Sequence, residues 1–265
     1  MKHLYKNKKI NYIVTGKGKP IVLIHGFTES LEIWKNFSGY FRKKYKCLLI
    51  DLPGHGNSDC LDNEHTMEES AQIIKEILET NHINECVLTG HSMGGYVSLA
   101  FAEFYPNFIK GLCLFHSSAM EDTEEIKQNR EKTIEVVKQN KFNYLTHFIP
   151  DLFAPENKET LCTEINMLMD RAKKMKSKGI INAINGMKIR KDRRHILKEM
   201  NAPVLFIAGK KDSRVPLSKI SEQMVLPKYS FSLILENTGH MGYLEEPDIT
   251  RDTLEFFIKK CYNII

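Results

Sequence analysis

Apolar residues fall along this chain in two rhythms. Short unbroken runs occur at Pro20-Ile21-Val22-Leu23-Ile24, Cys47-Leu48-Leu49-Ile50, Cys86-Val87-Leu88, Ile109 to Phe115 and Pro203 to Ala208. Runs of that length and composition predict strands covered on both faces, as in a parallel sheet. Between them the apolar positions return at helical spacing: Ile33, Trp34, Phe37 and Phe41 within Leu31 to Tyr45, then Ser70, Ile73, Ile74, Ile77 and Leu78 within Met67 to Asn81, then Tyr96 to Ala102. Residues 3–16 alternate loosely and end at Thr15-Gly16-Lys17-Gly18, as a leading hairpin would. Ser230 to Leu235 predicts a last strand, and Asp248 to Tyr262 a closing helix with Leu254, Phe257 and Ile258 on one face. Strand and helix taking turns predicts right-handed crossovers and an α/β fold with a doubly wound, mostly parallel sheet.

The rhythm breaks between about Ala119 and Ala202. No strand-like run occurs there; the segment is charged, helical in pattern, and carries Met120, Met167, Met169, Met175 and Met187. We read residues 119–202 as an inserted helical lid on a core formed by 1–118 and 203–265. An insertion at that point lands at the carboxyl edge of the sheet, where such folds bind ligands. Some of the methionines should therefore face the mouth of a site, while most fill gaps between helices. Lys173, Lys174, Lys176, Lys178, Lys188, Arg190, Lys191, Arg193 and Arg194 make half of the segment basic. Such a run is ordinarily a solvated helix face; the alternative is docking of an acidic partner or anionic substrate.

Composition narrows the class without choosing a function. The 265 residues are 42% hydrophobic and 27% charged, as in a globular protein, with a net charge of only +5. The lysines are dispersed and no basic arm is interleaved with aromatics, so nucleic acid is not an expected partner. No stretch approaches about 18 apolar residues, so no membrane span is expected. The first residues meet no long apolar segment of the signal-peptide kind, and Cys47, Cys86 and Cys113 sit in or beside apolar runs like buried free thiols. Together these point to a cytoplasmic protein. No Cys-x-x-Cys pair occurs, and neither a metal nor an organic cofactor is expected.

The candidate chemistry begins at Val87-Leu88-Thr89-Gly90-His91-Ser92-Met93-Gly94-Gly95. Gly90 and Gly94 flank Ser92 by two residues on either side, which suits a sharp strand-to-helix corner that lifts the hydroxyl above the sheet. The helix that follows aims its N-terminus at the same place, leaving the Met93 amide free for an oxygen that becomes negative during reaction. His25-Gly26-Phe27 ends the first strong strand, and its tight turn leaves the Phe27 amide facing the same side. Gly209-Lys210-Lys211-Asp212 follows the Pro203 strand, and Thr238-Gly239-His240-Met241 follows the last one. His55, in the loop Asp51-Leu52-Pro53-Gly54-His55-Gly56-Asn57-Ser58-Asp59, is a rival base, and Glu121, Asp122 and Glu124 are rival acids. Asp212 is preferred because it follows its strand directly, whereas the rivals open a helix where acids are ordinary first-turn residues.

These five segments, in this order along nearly the whole chain, resemble the alpha/beta-hydrolase superfamily. The resemblance implies Ser92 as nucleophile, His240 as the base that activates it, and Asp212 as the group orienting the imidazole. It also implies an oxyanion hole from the Phe27 and Met93 amides, and activity that rises with pH as His240 becomes neutral. A serine at the elbow disfavours the dehalogenase and epoxide hydrolase branches, which carry aspartate there. The expected activity is a serine carboxylesterase acting through an acyl-enzyme on esters with small to medium acyl chains. Carbon-carbon bond hydrolysis, thioester or amide cleavage, and a receptor without turnover remain as alternatives. Esterases that act on carrier-bound acyl chains dock through basic lid residues, so an acidic carrier protein is a candidate partner. Neither the oligomeric state nor the natural ester is legible.

Overall fold

The computed structural model describes residues 1–263. Its eight strands are β1 (Lys2–Tyr5), β2 (Lys8–Thr15), β3 (Lys19–Ile24), β4 (Tyr45–Ile50), β5 (Cys86–His91), β6 (Ile109–Phe115), β7 (Val204–Gly209) and β8 (Ser230–Leu235). They form one sheet in the order β1-β2-β4-β3-β5-β6-β7-β8. The first two strands are the leading hairpin, antiparallel to each other; β2 pairs antiparallel with β4, and every later pairing is parallel. The chain winds outward from β3 to β4, then crosses back so that β5 pairs with the other side of β3. That reversal leaves a crevice beyond the carboxyl ends of β3 and β5, which is where folds of this kind place ligands.

The helices are α1 (Lys35–Phe41), α2 (Met67–Thr80), α3 (Met93–Phe104), α4 (Glu124–Phe148), α5 (Cys162–Lys174), α6 (Ser177–Lys188), α7 (Arg194–Glu199), α8 (Leu217–Met224), α9 (Gly242–Glu245) and α10 (Pro247–Asn263). The strands of the parallel core are buried almost throughout, which is why they read as continuous apolar runs. Four helices, α4 to α7, occupy the interval between β6 and β7, with a break in α4 at Asn140. No helix among the described residues is long and apolar enough to cross a membrane.

Two boundaries differ from the sequence reading. The helix expected over Leu31 to Tyr45 splits into a 3-10 turn, Leu31–Trp34, and α1, which ends at Phe41. Tyr45 instead opens β4 opposite Lys19, so strand pairing overrides the helical spacing. Conversely, β5 runs three residues beyond its apolar run, through Thr89, Gly90 and His91, because they pair with Cys113, Leu114 and Phe115 of β6. Trp34 is fully buried against the rings of Phe37, Phe115 and Tyr243, a packing role.

Candidate active site

Ser92 stands between β5 and α3 with φ 50° and ψ −116°, a backbone region costly for a residue with a side chain. Its surroundings enforce that conformation. The Ser92 N–H donates to the Phe115 carbonyl at 2.9 Å, and the Ser117 hydroxyl donates to the Ser92 carbonyl at 2.7 Å. The corner also needs glycine at its flanks: a Cβ on Gly94 would come within 2.5 Å of the Ile24 carbonyl oxygen and 2.7 Å of the His25 one. The strain lifts the hydroxyl off the sheet into a cavity of about 440 Å³. The Phe27 and Met93 amides make no hydrogen bond to a described residue, and Met93 is the first residue of α3, so its N–H belongs to the free first turn.

His240 lines the same cavity, and Asp212 lies behind it. The His240 Nδ1 donates to Asp212 Oδ2 at 2.7 Å, which leaves Nε2 as the basic nitrogen. The other carboxylate oxygen accepts from the Arg214 and Val215 amides at 2.8 and 2.9 Å. Burial would raise the Asp212 carboxyl, but the two imidazoles beside it win and hold it far below the usual carboxylate range. The His240 amide donates at 2.6 Å to the Leu152 carbonyl, so the segment between β6 and β7 fixes the loop after β8. Among the described residues the Ser92 hydroxyl has no hydrogen-bond partner, although it shares the cavity with His240.

Three groups escaped the sequence reading. His116, just past β6, is fully buried at φ 48° and donates from Nδ1 to the same Asp212 oxygen at 3.1 Å. Burial outweighs the carboxylate and lowers its proton affinity, so the ring is neutral, with Nε2 buried and unpartnered. His91 precedes the serine. Its Nδ1 faces Glu29 at 2.9 Å and its Nε2 faces the His240 carbonyl at 2.9 Å. Both neighbours only accept, so both nitrogens carry protons and the ring is a buried imidazolium. Burial would lower His91 and raise Glu29, but each charge reverses that for the other. Glu29 also accepts from the Gly26 amide and the Tyr243 hydroxyl. One buried ion pair thus ties the loop after β3, the Ser92 corner and the loop after β8. An acid three residues past Gly26 and a histidine next to Ser92 were the signals, but their sixty-two-residue separation hides the contact.

The rivals lie elsewhere. His55 is buried beside the His25 ring, 5.1 Å between centroids, and donates to the Pro53 carbonyl; it does not line the cavity of Ser92. Asp122 is buried between Arg130 and Arg190, while Glu121 and Glu124 are exposed. Of the five methionines only Met187 lines the cavity. The basic run is not one exposed face. Arg190 is buried against Asp122, and Arg193 against Glu68 and Glu103, so these two do not belong to a docking surface. Their charges are already matched by acids inside the fold.

A family model for the alpha/beta hydrolase fold matches residues 19–247. A 2-hydroxy-6-oxononadienedioate/2-hydroxy-6-oxononatrienedioate hydrolase of Paraburkholderia phymatum is 29% identical over 91% of this chain and 87% of its own length. A pimeloyl-[acyl-carrier protein] methyl ester esterase of Wigglesworthia glossinidia brevipalpis is 28% identical over 91% of this chain and 93% of its own. Among solved structures, a thermophilic esterase from Thermogutta terrifontis superposes with a TM-score of 0.91 at 25% identity, covering 96% of this chain and 94% of that one.

Proposed function

We propose, for a chain that belongs to the alpha/beta-hydrolase fold family, that it is a serine hydrolase cleaving carboxylic esters of small to medium acyl chains. The observation carrying this reading is the strained Ser92 at the end of β5, sharing one cavity with a histidine whose other nitrogen is held on a buried carboxylate. In the proposed cycle His240 Nε2 takes the Ser92 proton as the hydroxyl attacks the ester carbonyl. The oxyanion forms against the Phe27 and Met93 amides. Collapse expels the alcohol, which leaves with the proton held by His240. Water, deprotonated by the same nitrogen, then attacks the acyl-enzyme; the acid leaves as the acyl–Oγ bond breaks and Ser92 takes the proton back from His240. Asp212 keeps the imidazole in its Nδ1–H tautomer throughout.

Residues 119–202 act in this reading as the lid, because Ile126, Tyr144, Phe148, Ile184 and Met187 supply much of the cavity's apolar wall. A cavity of about 440 Å³ suits a modest acyl chain better than a long one. An esterase similar in both structure and coverage, and a methyl ester esterase among the relatives, support the ester class. The second reading is carbon-carbon bond hydrolysis, favoured by the dienedioate hydrolase relative. Thioesters, amides and a receptor role rank behind these. Any docking of an acidic carrier protein would fall on the exposed Lys174, Lys176, Lys178, Lys191 and Arg194. Steady-state hydrolysis of p-nitrophenyl esters from acetate to decanoate tests the class. Turnover with an optimum at short or middle chains is expected; absence of turnover on all of them would move carbon-carbon cleavage ahead.

His116 is a positioning residue in this scheme. Its N–H shares the Asp212 oxygen that serves His240, and so draws off part of the charge that stabilises the imidazolium. His116→Phe keeps the ring volume and removes the donor. The acidic limb of the kcat/KM profile should then move to higher pH by about half a unit, the worth of one ordinary hydrogen bond. A lower rate with an unmoved profile would reduce His116 to a packing residue.

A further inference from the structure

We infer that the ester this site takes carries a carboxylate, seated against Arg130; the inference rests on the ester-hydrolase reading of the same cavity and narrows its substrate. Asp122 and two arginines form a charge cluster that does not balance. Asp122 is buried between two guanidiniums: Arg190 Nη1 lies 2.6 Å from its Oδ1, and Arg130 Nε bonds its Oδ2. One carboxylate between two arginines leaves one positive charge without a partner. Arg190 uses its remaining reach inside the fold, donating to the Met120 and Met187 carbonyls and lying 4.1 Å over the Tyr96 ring. Arg130 spends Nε and Nη2 on Asp122, but its Nη1 has only the Met187 thioether, at 3.7 Å, which is a weak acceptor. Arg130 is part of the wall of the Ser92 cavity.

The rest of the lining does not supply the missing anion. Glu29 is the single carboxylate among the lining residues, and its charge is matched by His91. Across the cavity the lining adds Arg214, whose nearest carboxylate is Asp151 at 3.8 Å, and Lys219, which forms no ion pair among the described residues. Asn129 and Thr133 flank Arg130 in α4 and line the same wall. Their polar side chains suit a group that accepts hydrogen bonds and do nothing for a plain alkyl tail. Arg130 is only 21% exposed, and its free Nη1 is a charged donor that a carboxylate accepts better than a thioether does. The apolar positions between Arg130 and Ser92 would cover a short methylene chain, so the monoester of a dicarboxylic acid has the chemistry this cavity matches.

Calorimetric titration of the purified protein with adipate and with its neutral diamide tests this at low ionic strength. Adipate should bind at least about tenfold more tightly, the scale of one charge-assisted hydrogen-bonded contact. Arg130→Gln should erase most of that preference, since Asp122 keeps Arg190. Arg214→Gln, at an exposed position that does not endanger folding, should reduce it by a smaller factor. Equal binding of acid and diamide, or a preference untouched in both variants, overturns the inference. Turnover of monomethyl adipate against methyl hexanoate separates this outcome from failure of the ester reading. If neither ester is cleaved while adipate still binds through Arg130, the ester reading falls and the anion site stands. If methyl hexanoate is cleaved and adipate is not preferred, the anion site falls alone.

Discussion

Replacing Ser92 with alanine is expected to lower kcat on p-nitrophenyl esters by about 10⁵- to 10⁶-fold, the scale seen when a triad nucleophile is removed. The size follows from what remains. Without the hydroxyl no acyl-enzyme forms, and the cavity can only bind the ester and hold water near His240. The fold should survive, because the corner is held through Ser92 backbone atoms, the N–H to Phe115 and the carbonyl to Ser117, and not through the hydroxyl. The hydroxyl has no partner to lose. Unchanged thermal unfolding with vanished turnover is therefore the expected pair of results, and a fluorophosphonate should modify the wild-type protein at Ser92 but not the variant. A variant keeping a tenth of the wild-type rate would remove Ser92 from the mechanism.

The Asp212→Asn change is expected to act differently in kind. An amide in place of the carboxylate presents an N–H toward one of the two imidazoles that now donate to Oδ2, so the His240 tautomer is no longer enforced. The same residue orders its own loop through the Arg214 and Val215 amides. Catalysis and local order are thus joined at one side chain, as they are not at Ser92.

How much of this was legible in the sequence depends on the distance over which each signal acts. Strand ends are local: an apolar run followed by glycine and a polar residue marked the places of Ser92, Asp212 and His240, and the core strands were placed within a few residues. The helix at Leu31 was overdrawn because its last turn is set by the pairing of Tyr45 with Lys19, which helical spacing does not encode. The supporting shell was opaque for the same reason. His116 meets Asp212 across 96 positions, and Arg193 meets Glu68 across 125. A charged residue in a helical pattern reads as solvent-facing until its partner is known. Arg190 and Arg193 are buried because acids from distant segments meet them, which turns an apparent docking face into internal wiring.

The histidines beside the site should also make the protein acid-labile. His25, His55 and His65 are all buried, and burial lowers their affinity for a proton to about 4, about 3 and about 3 respectively. Hydrogen bonding explains why His25 stays neutral: its Nδ1 donates to the Gly26 carbonyl while its Nε2 must accept from the Leu52 amide, at 3.0 Å. His65 likewise accepts at Nε2 from the Leu61 amide. In the unfolded chain each ring takes a proton below about pH 6.5, whereas in the folded chain none does until about pH 4. Protons therefore favour the unfolded state throughout that window, and stability falls as pH falls from about 6.5 toward 4. At pH 5 each histidine costs on the order of 2 kcal/mol, and three together approach the net stability of an ordinary domain, about 5–15 kcal/mol. Urea unfolding at pH 7, 6 and 5 should show the loss steepening across the series, with a half-unfolded protein above pH 4. His65→Gln, whose side-chain oxygen can still accept from Leu61, should flatten the slope by about one proton's worth, roughly 1.4 kcal/mol per pH unit. Equal stability at pH 7 and pH 5 would mean that these rings are hydrated enough to titrate in the folded state, and would undo the account of His25 as a neutral link between the Gly26 and Leu52 backbones.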